Sequence, residues 1–267
     1  MARAAASSTH RSHWPQRLVC VLVFSLIVQF AYAQAATTEK IDFWDLVGKF
    51  APRFWEGTCL TILISVLSML LATTTGLGLA LVRLYAPRPL AAIAVAYIEF
   101  IRGTPLLIQL FFIYYGLPQI PYLGIELPAL PAAILGVGLN YAAYEAEIYR
   151  SGIMAIPRSQ VEAALALGLT RAQAVRYVVL PQALRLVIPP VTNDFVALFK
   201  DTSIVSILAI SELTMTFRSA SMATGRHFGF AVVTALIYFL LSFPLARLAR
   251  KLEKRIHPHH DFGAKAY

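Results

Sequence analysis

The chain has 267 residues, 58% of them hydrophobic and only 14% charged. Soluble domains carry about 25% charged residues, so the composition excludes an ordinary soluble protein and points to one embedded in a membrane. The formal net charge of +9 does not mark a nucleic-acid partner, because the basic residues gather beside the ends of apolar runs.

Taken in chain order, the first feature is a processing signature. Arg3, Arg11 and Arg17 precede an apolar run at 18–30, and Ala31-Tyr32-Ala33 follows, with small residues at the positions a signal peptidase reads. Residues 1–33 therefore read as a secretory signal rather than an uncleaved membrane helix. Residues 34–57 are mixed and mildly acidic, an extracytoplasmic segment in which 42–56 suits a short interfacial helix. Cys20 and Cys59 lie in or beside apolar segments and offer no disulfide framework and no metal-ligand spacing.

Five apolar spans are expected, at about 58–82, 90–117, 128–148, 186–210 and 228–245. The second is interrupted by Arg102-Gly103-Thr104-Pro105, where Pro105 forbids a continuous hydrogen-bond ladder. That break is either a kink whose freed carbonyls line a pathway, or the start of the span proper, with 90–101 as an interfacial helix. The second reading is preferred, since it sets Arg102 at the headgroups. Residues 212–227 read as a small polar connector, and 249–267 as a basic cytoplasmic tail. Charge supports an outside N-terminus and an inside C-terminus. The segments then facing inward include 149–185, where Arg150, Arg158, Arg171, Arg176 and Arg185 outweigh Glu162.

That inward island has legible local chemistry. Ser159 precedes Glu162 by three residues, the pattern of a capping box, and Gly168 supplies a left-handed stop. Thr170 and Gln173 form a second box, opening another helix that is expected to end before Pro181. A helix-turn-helix with arginines also suggests DNA reading, but its flanks here are membrane spans with no soluble core. A well-capped solvated loop is the plain alternative.

The sequence Glu162-Ala163-Ala164-x-x-x-Gly168-x9-Val178-x-Leu180-Pro181 resembles the signature loop of permease subunits of ABC importers, with Val178 where isoleucine is usual. Arg102-Gly103-Thr104-Pro105-Leu106-Leu107, Ala146-Glu147-Ile148-Tyr149-Arg150, Leu180-Pro181-Gln182-Ala183 and Lys200-Asp201-Thr202-Ser203 are similar to the polar-amino-acid subfamily. The resemblance covers about residues 55–250. It implies an all-helical permease domain at 58–248, whose loop at about 154–181 docks on a cytoplasmic ATPase subunit. Glu162, Ala163, Ala164, Gly168, Leu180 and Pro181 would make that coupling. It further implies an extracytoplasmic binding protein and a second permease subunit, identical or related.

No G-x-x-x-x-G-K-[ST] occurs in the sequence, so ATP hydrolysis is expected in a separate subunit; no cofactor or catalytic residue is expected. Charges inside spans cost about 2.5–3.5 kcal/mol each on insertion scales, so they mark bundle interiors or cavities. Glu145 in the third span and Asn193, Asp194, Lys200 and Asp201 in the fourth are the candidates for the solute pathway. Asn193 and Lys200 share one helical face, Asp194 and Asp201 the adjacent one. Ion pairing that locks the bundle is the competing role, as for Glu147 with Arg150 three residues on. A self-sufficient secondary transporter is the runner-up function, disfavoured by the docking loop and the absence of an inverted repeat.

Overall fold

A computed structural model of the chain describes residues 42–122 and 124–256, with Gln29 alone before them. The expected signal at 1–33 therefore lies outside the described residues. Among the described residues the protein is all helical, with no strand.

Helix α1 spans Phe43–Tyr85, 43 residues in one piece, about 65 Å at the usual rise. The expected interfacial helix at 42–56 is thus not separate. It continues without a break into the first span, because Pro52 carries the only local reason to stop and the helix accommodates it. The buried face of α1 is small and polar. Thr58, Thr61 and Ser65 return their hydroxyls to the carbonyls of Phe54, Gly57 and Thr61, so none needs a partner elsewhere. Ser68, Ala72, Gly76 and Ala80 then recur every four residues and form a seam. That seam meets α4 (Ala129–Met154), whose Ala132, Ala133, Gly136, Val137, Ala142 and Ala143 are buried. Small residues on both sides allow the backbones to approach closely, the main source of attraction between helices in lipid.

Between these two, α2 (Arg88–Arg102) and α3 (Leu106–Phe111) meet at a 106° bend. A π-helical turn at Phe112–Gly116 and a 3-10 turn at Leu117–Gln119 complete that arm. After α4 come α5 (Arg158–Ala166) and the four-residue α6 (Arg171–Ala174). A π-helical turn at Val175–Val179 joins α6 directly to α7 (Leu180–Asp201), which a 3-10 stretch extends over Thr202–Leu208. The helix opened by Thr170 therefore does not end before Pro181. The wider π-turn absorbs the missing proline N–H, and Arg171–Leu208 runs as one element.

The expected connector at 212–227 is largely helical: α8 covers Leu213–Thr224. Its start is held by Glu212, whose carboxylate accepts from the amides of Thr214 (2.8 Å) and Met215 (2.7 Å) and from the Tyr238 hydroxyl. Gly225 ends α8 in the left-handed region, and α9 follows over His227–Ile256. Phe50 and Phe54 of α1 and Phe43 at its start gather around Phe230 in the first turn of α9, joining the first of these helices to the last.

By length and hydropathy, three helices among the described residues can cross a membrane: Phe43–Tyr85, Arg171–Leu208 and His227–Glu253. The bent pair Arg88–Arg102 and Leu106–Gln119 makes a fourth if it is one span. The third expected span, α4, is not in that set. It is long enough, but it carries Asn140, Glu145, Glu147 and Arg150.

Candidate functional site

The hairpin of α5 and α6 is built from local rules, with one correction. Helix α5 starts at Arg158 on the extended Pro157, and no side chain caps it. The Ser159–Glu162 box is absent because Pro157 starts the helix early enough to place Ser159 inside its first turn. At the other end, the Leu169 amide reaches the Ala164 carbonyl (3.2 Å) and the Gly168 amide reaches that of Leu165 (3.0 Å). That double closure needs a left-handed residue, and Gly168 has φ +83°. The second box is present. Gln173 donates its amide to the Thr170 hydroxyl, and the Thr170 amide donates to the Gln173 side chain at 2.9 Å. Thr170→Ala should cost about 1 kcal/mol of local stability, read as faster amide exchange at Gln173; unchanged exchange would mean the box carries no weight.

Glu162, Ala163, Gly168, Leu180 and Pro181 are exposed on this hairpin, whereas Ala164 is buried inside it. Ala164 thus packs the two short helices together instead of facing outward. The exposed surface also holds Leu167 (85% exposed), Val175 and Tyr177. The sequence reading missed these three, although apolar residues on a solvated hairpin were the available signal.

The second feature is a cavity of about 580 Å³ at the bend between α2 and α3. Arg102, Thr104, Asn140, Tyr144, Asp194 and Asp201 are among its lining residues. Pro105 breaks the ladder and α4 and α7 supply the facing wall. Tyr141 donates its hydroxyl to Asp201 at 2.8 Å, tying α4 to α7. The Arg102 guanidinium lies over the Tyr144 ring, 5.4 Å from its centroid. Asp194 makes no hydrogen bond or salt bridge to another described residue. At the Arg102–Pro105 break α2 turns sharply away from α3, and the bend itself lines the cavity.

Of the five pathway candidates, the structure brings Asp194 and Asp201 to this cavity. Asn193 and Lys200, on the neighbouring face of α7, are exposed and do not line it. Glu145 does not line it either. Its side chain is fully buried, and its Cβ abuts Gly76 of α1. Helical period placed Glu145 on α4 but carried no information about which neighbour it faces. Near the hairpin end of α4, Glu147 bonds Arg150 (2.8 Å), as its spacing suggested, and also Arg83 at the end of α1. Tyr141, Tyr144 and Gln109 were missed, since aromatic and amide residues in a span read as ordinary packing. No group of residues able to hold a metal occurs among the described residues.

The family described as binding-protein-dependent transport system inner membrane component matches residues 72–258. The L-cystine transport system permease protein TcyB of Bacillus subtilis (strain 168) is 37% identical over 218 residues, 80% of this chain and 91% of that protein. The glutamine transport system permease protein GlnP of Escherichia coli (strain K12) is 33% identical over 213 residues, 80% of this chain and 97% of that protein. Among solved structures, a crystal structure of an amino acid ABC transporter with histidines superposes with a TM-score of 0.74. It is 37% identical and covers 81% of this chain and 100% of its own.

Proposed function

Because the chain belongs to the family of binding-protein-dependent transport system inner membrane components, we propose that its cavity is the passage for polar amino acids, or derivatives such as opines. The protein is a permease subunit of an ABC importer and a multi-pass protein of the inner membrane. The cavity carries the reading. It sets a guanidinium and two carboxylates around a helix break, and a zwitterion needs a cation for its carboxylate and an anion for its ammonium. Its size is within the range of small-molecule sites.

The hairpin is the contact for a cytoplasmic ATPase subunit, through Glu162, Ala163, Gly168, Leu180 and Pro181, with Leu167 and Tyr177 extending the apolar surface. Two permease subunits, identical or related, form the passage, two ATPases drive it, and an extracytoplasmic binding protein delivers the solute. Five spans cross the membrane, with the mature N-terminus outside and the C-terminus inside. Helix α4 is the third of them despite its polar residues, because α1, α2, α3 and α7 pack around it and shield those residues from lipid. The passage domain occupies 58–248 and the basic tail 249–267.

Reconstitution with the ATPase and binding protein tests this, with uptake of labelled amino acids as the measurement. Asp194→Asn is expected to raise the uptake KM about tenfold, the value of one lost charge-assisted contact, with normal membrane levels. Glu145→Gln, facing α1, should leave the ranking of solutes as it is. An unchanged KM in Asp194→Asn removes that residue from the passage. Uptake of sugars or other polar solutes in place of amino acids overturns the substrate class.

A further inference from the structure

The polar groups at the helix break form a chain whose direction is fixed at one end. Pro105 has no N–H, so the carbonyl of Ile101, one turn earlier, loses its normal donor. The Gln109 side chain replaces it: Nε2 lies 2.8 Å from Ile101 O, 3.1 Å from Thr104 O and 2.8 Å from Thr104 Oγ1. The Thr104 hydroxyl gives its own proton to Phe100 O at 2.9 Å, leaving a lone pair for Gln109. Backbone carbonyls only accept, so the Gln109 nitrogen must face them and its oxygen must face away.

That oxygen meets α4. Asn140 Nδ2 donates to Gln109 Oε1 at 3.0 Å. Asn140 must present nitrogen there, so its amide oxygen is turned from Gln109. Asn140 is 5% exposed and lines the cavity. Its oxygen has no hydrogen-bond partner among the described residues, yet it is not one of the sealed, unpartnered atoms. The open space it can reach is the cavity.

We propose that Gln109 is a positioning residue for the solute: it clamps the broken turn and thereby aims the Asn140 amide oxygen into the cavity, as an acceptor for the ligand's ammonium group. Gln109 touches no ligand itself. The freed carbonyls at the proline break set the polarity, and the two carboxamides relay it across from α3 to α4. Asn140 and Asp194 then offer acceptors from two different helices, while Arg102 offers the donor. This inference rests on reading the cavity as the amino-acid passage.

The test is uptake by the assembled importer in proteoliposomes, with labelled L-glutamine, L-arginine and L-cystine as probes. Four variants are compared: Gln109→Leu, the isosteric Gln109→Glu, Asn140→Leu, and the double Gln109→Leu/Asn140→Leu. Each single change is expected to raise KM about tenfold, with the maximal rate and the ATPase rate without solute within about twofold. The double variant should be no worse than Asn140→Leu, because Gln109 acts through Asn140. Additive KM losses, an unchanged KM in both Gln109 variants, or a fall confined to the maximal rate would overturn the relay. Loss of assembly in both Gln109 variants would overturn it too, by making the residue a determinant of folding. Wild-type import of none of the three probes would instead bring down the amino-acid reading, and the relay with it.

Discussion

Gly168→Asp is expected to abolish coupled uptake while the protein still reaches the membrane in normal amount. Gly168 closes α5 at φ +83°, with open space around the position a Cβ would take. The penalty is therefore conformational and not steric, about 1–2 kcal/mol for a residue with a side chain in the left-handed region. That is too little to unfold the bundle but enough to redirect the four-residue turn between α5 and α6. Relieving it by rotating the backbone would swing α5 against α6 and displace Leu167 and Tyr177 from a shared surface. Glu162→Lys should act at the same contact by charge reversal, since Glu162 is exposed and holds up no cap in its own helix. Both variants are read by ATPase activity and uptake in parallel. Hydrolysis without uptake, or an ATPase that no longer co-purifies, is the expected result. Uptake at the wild-type rate in both would remove the hairpin from coupling.

The second large effect lies in the seam between α1 and α4. A Cβ at Gly76 would stand 2.6 Å from Glu145 Cβ and 2.9 Å from the Ala142 carbonyl. The latter is backbone and cannot rotate away, so even alanine forces the helices apart and leucine does so severely. Overpacking of this kind costs about 3 kcal/mol at the upper end, roughly a hundredfold in the folded ratio. Gly76→Leu should accordingly leave little extractable, monodisperse protein. Gly78→Leu is the control, two residues along on the open side with nothing within 4 Å, and should be neutral. Equal yields of the two variants would mean that the α1–α4 seam does not hold the bundle together.

Both effects trace to glycines, yet only one was legible as a motif. Gly168 follows a short helix and precedes a threonine cap, and every bond it enables reaches no further than five residues along the chain. Chemistry that short-ranged can be read from order alone. Gly76 has the same composition around it as Gly78, and only contact with α4 separates them. Ser159 shows the limit of local reading: its capping pattern is present, but Pro157 starts the helix first. The continuation of α6 into α7 shows another, since a π-turn lets a helix carry Pro181 where an ordinary one would stop.

What amino-acid order settled is the membrane class, the break at Pro105, the turn at Gly168, the Thr170 box and the pairing of Asp194 with Asp201 on one side of α7. All follow from composition, the helical period or bonds within a few residues. Which side of α7 meets the cavity was decided by packing alone. Period 3.6 ranks residues relative to one another and says nothing about the neighbour they face. Asp194 therefore lines the cavity while Asn193 is exposed away from it, and Glu145 is buried against α1 although nothing in its surroundings along the chain sets it apart. The relay from Thr104 through Gln109 to Asn140 spans 36 residues and three structural elements. Such a network exists only once a third helix has closed over the broken one.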